Sequence, residues 1–324
     1  MKPIIPFALL GALLAVGAAD AAVTTPVGYV TKTLPAGQTT LVGLTLQNPV
    51  VSAGVLDAES SSSVTDTEAN FTTLLTAGAT YILELANGTV QEVTAWAGGV
   101  LTTPQDITSL VTPGTTTYTL RKAATVSDVF GATNSAGLGD DSDGSLIGTD
   151  FILIPNGVAF DTVYYFNDGA GTTGWFDDQG NPSDTKPIAY QDGFFVQRAA
   201  GASIDLVITG EVKKVETDGA LVNGYNYLNG VAPVGLTLGT SGLESFIAID
   251  TVGDIETADL VLLQQPSGAY KTCYYFNDGL GTLGWFDDQG NPVDTDAIEG
   301  GFLLLNRTGT KPYSVDVPAG YSGL

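Results

Sequence analysis

Histidine is absent from this 324-residue chain, and cysteine, methionine and tryptophan are scarce at one, one and three residues. Without an imidazole there is no Ser-His-Asp or Cys-His catalytic site, no His-ligated zinc or copper and no His-bound haem. A lone Cys273 cannot form an intramolecular disulfide. It lies in an apolar run where a related segment has Val163, which marks it as a small buried hydrophobe rather than a nucleophile. Basic residues are few as well: 11 Lys and Arg stand against 35 Asp and Glu, a formal charge of −24. A field of that sign repels nucleic acid and anionic membrane surfaces and attracts cations, and it also keeps an exported β protein soluble with its strand edges apart. No long stretch has the apolar spacing of an amphipathic helix.

What is present points the other way. Glycine reaches 41 residues, Thr and Val are frequent, and 44% of the chain is apolar, a composition for short strands joined by tight turns. The expected fold is all-β. The start of the chain stands apart: Met1-Lys2 is positive, Pro3 to Gly17 is almost wholly apolar, and Ala19-Asp20-Ala21 offers the small residues a signal peptidase reads. Residues 1–22 are therefore expected to be a cleaved signal peptide, giving an exported protein with no membrane insertion after cleavage, placed outside the cell, on its surface or in the periplasm. The apolar run is shorter than the ~20 residues of a spanning helix. The C-terminal residues show no hydrophobic sorting tail.

The most informative stretch is Tyr164 to Thr185, YYFNDGAGTTGWFDDQGNPSDT, because it returns 110 residues later as Tyr274 to Thr295. The copies differ only at Ala170/Leu280, Thr173/Leu283 and Ser183/Val293. A pentapeptide, VGLTL, also occurs twice, at Val42 to Leu46 and Val234 to Leu238. The gap to the aromatic block is 117 residues in the first case and 35 in the second, so the first unit carries an insertion. Further matches pair Val126–Phe130 with Leu243–Ile247, and Thr149–Ile154 with Ala258–Leu263. The architecture these repeats predict is two tandem homologous β-sandwich or barrel-like modules, residues 23–50 plus 123–212 and residues 213–324. The first carries a small inserted β-barrel over 51–122 whose polar run Glu59 to Ala69 reads as a mobile loop. Val212 to Gly219 reads as the link between modules.

The segments TTPVGYVTKTLPAG, VGLTL, TYTLRKAATVSDVFG, TDFILIPNGVAFDTVYYFNDG and DGFFVQRAAGASIDLVITGEV (Asp192 to Val212) together resemble a family of exported, β-rich proteins of verrucomicrobial bacteria that carries no assigned activity. The shorter strand, Trp and Gly-Phe elements are similar to a β module repeated in large bacterial cell-surface proteins. The resemblance spans most of the chain after residue 22 and implies export and β architecture, and no chemistry.

Three functions compete with a purely structural reading of the repeated block. Asp168, Asp177, Asp178 and Asp184 with Asn181, and their counterparts Asp278, Asp287, Asp288 and Asp294 with Asn291, crowd hard oxygen ligands into Gly-rich loops, the donor set calcium takes. Asp141 and Asp143 add a shorter acidic loop that lacks the full EF-hand pattern. Trp175 and Trp285, with Tyr165 and Tyr275, could offer apolar faces to the rings of extracellular glycans. Two carboxylates, Asp177/Asp178 or Asp150 with Asp184, could serve a glycoside hydrolase, which needs no histidine. A duplicated loop suits avid contact better than a duplicated active site. The expected function is therefore an exported, non-enzymatic protein of the cell surface or extracellular matrix that acts by binding glycans or other surface proteins, or by self-assembly. A calcium-dependent carbohydrate-binding module is the alternative, and a hydrolase the remote one.

Overall fold

The computed structural model describes residues 26–321, and the expected signal peptide lies outside them. The fold is all-β. Among the described residues the α-helices are two short ones, Phe71–Leu74 and Val126–Phe130, and no helix is long and apolar enough to cross a membrane.

The first module is a five-stranded antiparallel sheet in the order Thr173–Asp177, Ala159–Asn167, Phe151–Asn156, Gly193–Gln197, Thr39–Gly43. Alternation decides which face is core: Ile152 and Ile154 on one strand, Val163 and Tyr165 on the next and Phe194 and Val196 on a third are buried. A separate ribbon, Val27–Leu34 with Ile204–Glu211, closes over that face through Leu34, Leu206 and Ile208. The second module repeats the order strand for strand: Leu283–Asp287, Tyr270–Asn277, Leu260–Gln264, Gly301–Asn306, Gly224–Asn229, with Thr217–Leu221 and Lys311–Val315 as its ribbon. Residues 50–122 make two four-stranded sheets with a core of their own around Phe71, Leu83, Leu101 and Tyr118.

Several local expectations need correction. The second VGLTL is no strand: Val234 to Leu236 is irregular, Leu238 opens a 3-10 turn, and the strand matching Thr39–Gly43 is Gly224–Asn229. Val126–Phe130 matches Leu238–Thr240, not Leu243–Ile247. Thr125 pairs with Pro187 where Thr237 pairs with Ala297, and Val126 N–H donates to Lys186 O as Leu238 N–H does to Asp296 O, both at 3.0 Å. The helix starts at Thr125 because its hydroxyl accepts from Asp128 N–H while the Asp128 carboxylate accepts from Thr125 N–H. Within Glu59 to Ala69, the expected mobile loop, Ala58–Ser60 pairs with Ser63–Thr65, and Asp66 accepts the N–H groups of Glu68 and Ala69. Phe71–Leu74, inside the insertion expected to be all strand and turn, is helical. The link is no free tether, because Lys213 is buried and Thr217–Leu221 is a strand.

The edge strands of the two modules meet at very close range. A Cβ added at Gly43 would lie 2.1 Å from Asn229 Oδ1 and 2.7 Å from the Gly301 amide nitrogen, and one added at Gly301 would lie 3.0 Å from Val42 C. Asn229, 1% exposed, donates through Nδ2 to Leu44 O at 2.7 Å and Tyr190 O at 2.6 Å. The Gln264 side chain accepts from Leu41 N–H and donates to Thr39 O, both at 2.7 Å. Phe160, Phe195 and Tyr227 form a triangle of edge-on rings 5.1–5.7 Å apart across the same junction.

This contact predicts that Gly43→Ala costs at least about 2 kcal/mol, because the added Cβ would displace the buried, hydrogen-bonded Asn229 amide and the Gly301 backbone. Asn229→Ala should cost about 1–3 kcal/mol by stripping two buried carbonyls of their donor. Gly28→Ala, where a Cβ meets nothing within 4 Å, should change little. Urea denaturation of the three variants measures the difference. Equal stability of Gly43→Ala and Gly28→Ala would show that the modules do not pack this closely.

Candidate functional site

The repeated block builds the same object twice. Ala159–Asn167 and Thr173–Asp177 form a hairpin with Tyr165 opposite Trp175, and Tyr270–Asn277 and Leu283–Asp287 form another with Tyr275 opposite Trp285. At the tips, Asp168 Oδ1 accepts from the N–H groups of Ala170, Gly171 and Thr172 at 2.7, 3.0 and 3.0 Å, and Asp278 Oδ1 from those of Leu280 and Thr282 at 2.7 and 3.0 Å. After each hairpin Asp177 and Asp287 repeat the device. Asp177 Oδ1 accepts from Gln179 and Asn181 N–H, Asp287 Oδ1 from Gln289 and Asn291 N–H, and the Asn amides bond the same carboxylates. These bonds hold all four carboxyls below the usual carboxylate range: backbone N–H groups lead at Asp168 and Asp278, the Asn181 and Asn291 amides at Asp177 and Asp287.

The chain then folds back along its own edge strand. Ser183 N–H donates to Trp175 O and Val293 N–H to Trp285 O, which sets Pro182 beside Phe176 and Pro292 beside Phe286. Proline, with no N–H, blunts an edge that would otherwise pair with another chain. Asp184 and Asp294 hold the return: their carbonyls accept from Ser127 and Gly239 N–H, and the Asp294 carboxylate accepts from Trp285 N–H. Asp178 and Asp288 are exposed.

The structure places Trp175 and Trp285 in the core with no exposed surface, and Tyr165 is 6% exposed. Tyr165 and Tyr275 stand edge-on to their tryptophans, and the Trp175 indole donates to Gly131 O at 2.9 Å. Neither of these two indoles turns a face to solvent for a sugar ring to stack on. Asp150, nominated above as a hydrolytic carboxylate, is sealed in: it accepts from Gly139 and Ala199 N–H at 2.6 Å each and pairs with Arg198 at 2.7 Å. Asp259 does the same in the second module with Ala248 N–H, Arg307 N–H and Lys311.

Asp141 is buried and tied to the aromatic strand, donating to Tyr165 O and accepting from Asn167 N–H, both at 2.8 Å; Asp143 is exposed and caps Ser145. The backbone reveals a counterpart that sequence reasoning missed. Asp250 donates to Tyr275 O and accepts from Asn277 N–H, both at 2.9 Å, and its Oδ1 accepts from Val252, Gly253 and Asp254 N–H. In both residues Oδ2 is buried and has no partner. Among the described residues no group of three or more His, Cys, Asp or Glu side chains converges to hold a metal ion.

Sequence reasoning also missed a groove of about 1030 Å³ where the insertion and the two modules meet. Its lining includes Gln91 and Asp106 from the insertion, Gln191 and Asp192 from the first module, and Asp218 and Tyr225 from the second. Glu216 and Asp316 add two more carboxylates. Burial pushes Asp192 up to about 6 and raises Asp218 and Asp316, with Glu216 adding repulsion at both of the latter. Asp218 Oδ1 and Gln191 Oε1 are buried atoms without a hydrogen-bond partner. The signal was undetectable in sequence because the acids come from segments far apart in the chain.

Comparison with protein-family models, curated proteins and solved structures finds no match to this chain.

The raised Asp192 carboxyl fixes a sign. Between the unperturbed value of 3.8 and about 6 the folded state holds the proton more tightly than the unfolded one, so this group's stabilisation is present at low pH and lost as pH rises through 6. Asp192→Asn should therefore raise stability at pH 7 by on the order of 2 kcal/mol and leave it unchanged near pH 3.5. Thermal melts of both proteins across that range test this; parallel pH profiles would refute it.

Proposed function

We propose that this is an exported, non-enzymatic protein of the cell surface or extracellular matrix that acts by binding, through the groove between its three units. The observation that carries the reading is the groove itself, an open acidic concavity whose walls belong to separately built sheets clamped together by buried contacts. The carboxylates of the repeated loops suit this role better than catalysis. Asp168, Asp177, Asp278 and Asp287 spend an oxygen on turn N–H groups, and Asp150 is sealed under Arg198. A hydrolase needs one carboxyl free to give a proton and one free to attack or activate water. The tight packing of the two modules also makes the whole chain, rather than one module, the binding unit.

One observation favours a calcium-dependent second reading: the unpartnered Oδ2 of Asp141 and Asp250, buried at the same place in both modules. A bound ion would stabilise the fold by RT ln(1 + [L]/Kd), ~2.7 kcal/mol at a hundredfold excess over Kd. The groove reading expects coincident melting curves in calcium and in chelator.

The direct test is attachment of the labelled full chain to envelope fragments. Attachment should saturate, and Ala220→Trp, which fills the groove from an exposed position, should weaken it at least tenfold, while Ala170→Trp at a remote exposed turn should not. Non-saturating attachment, or equal loss in both variants, would sink the proposal.

A further inference from the structure

We infer that the groove takes an extended, lysine- or arginine-bearing polypeptide segment. The inference rests on the binding reading above and adds the ligand's chemistry, which four features of the groove specify.

Charge is the first. Asp106, Asp192, Glu216, Asp218 and Asp316 line the groove, and the one lysine in its lining, Lys311, is already paired with Asp259. The Lys213 ammonium beside Asp218 is likewise held by Glu84, so an incoming cation meets carboxylates in excess of the ammonium groups near them. Spacing is the second. Because no three acidic groups among the described residues converge on one point, a single metal ion cannot collect them, whereas a ligand whose positive charges are themselves spaced along a chain can. Desolvation adds to this: Asp218 Oδ1 is cut off from water with nothing to accept from, and a donor brought by the ligand would satisfy it.

The third feature is an open strand edge. Thr217–Leu221 pairs along one side with Lys311–Val315, and on its other side makes a single bridge, Asp218 to Thr89. Gly219 and Ala220 of that strand line the groove. An edge with main-chain groups left over is what an extended peptide pairs with, by strand addition, and a polyamine cannot use it. The fourth is size. At about 1030 Å³ the groove lies at the upper limit of the ~300–1,000 Å³ typical of small-molecule pockets, which leaves room for a chain segment. Amide side chains of Gln91, Gln105 and Gln191 stand along it to bond a peptide backbone, and Tyr225, 54% exposed, offers a face to the stem of a lysine or the plane of an arginine.

The probe is a fluorescein-labelled peptide alternating lysine and glycine, titrated with the full chain at 0.15 M salt, where the Debye length is about 8 Å and long-range attraction is screened. Anisotropy should report saturable binding, displaced by unlabelled peptide and not by spermine of equal charge. Asp218→Asn with Asp316→Asn should weaken it at least tenfold. Asp178→Asn with Asp288→Asn, which removes the same charge from exposed turns, should change it less than twofold, with thermal melts confirming that both variants fold. Absence of saturable binding would overturn the inference, as would equal loss in the two double variants or displacement by spermine as effective as by peptide. If the full chain attaches to envelope fragments and the peptide fails to displace it, the ligand class is wrong and the groove reading stands. If nothing attaches saturably, the groove reading fails first.

Discussion

Lys213 carries an ammonium into the place where the three units meet, and the arrangement of the chain depends on what surrounds it. The residue is 2% exposed. It pairs with Glu84 on the insertion's strand Tyr81–Leu85 and donates to Glu216 O at 2.8 Å, while Tyr190 of the first module donates to Glu84 from the other side at 3.0 Å. Burial lowers the lysine's proton affinity against the pull of Glu84, and raises that of the Tyr190 hydroxyl. A second buried pair, Arg121 with Glu211 at 2.5 Å, joins the insertion's last strand to the ribbon that closes the first module. Such pairs add little net stability over well-packed apolar residues, yet removing one partner strands a charge at a cost of about 3–5 kcal/mol. They therefore act as keys: the insertion sits in the one orientation that leaves no charge alone, and that orientation shapes the groove.

The same logic explains the repeated block. Its near-identity looks excessive for a pair of turns, and from sequence alone a shared binding role is an attractive explanation. In the structure nearly every position has a structural task. Tyr and Trp fill the core, Asp168 and Asp278 wind the tips, Asp177 and Asp287 wind the returns, and Pro182 and Pro292 seal the edge. Two of the three differences fall at the tips, where Leu280 and Leu283 are exposed. The third, Ser183/Val293, is buried, beside the chain's return to the edge strand.

The all-β class and the apolar face of each strand were legible because period-two alternation survives in sequences such as FILIP and LVLLQ. Matching short strings across the modules failed where pairing partners, not composition, decide the conformation. The first VGLTL ends a strand because Gly43 must approach Gly301; in the second, Gly235 adopts a φ of 84° and the chain turns. Asp141 and Asp250 share only a short frame, DSDG against DTVG, and their bonds to Tyr165 and Tyr275 are what make them equivalent.

The acids of this chain divide by what they bond. Those in the repeated loops accept several N–H groups each and are stabilised as anions where they stand. In the groove burial resists the charge of Asp192, Asp218 and Asp316, and Glu216 adds repulsion at the latter two. An excess of negative charge spread over a surface explains solubility and needs no ligand. Asp218 Oδ1, buried between packed sheets without a partner, is a different matter, because a donor arriving from outside would satisfy it. Around it stand carboxylates that the sequence scatters from Asp106 to Asp316 and the fold brings to one groove.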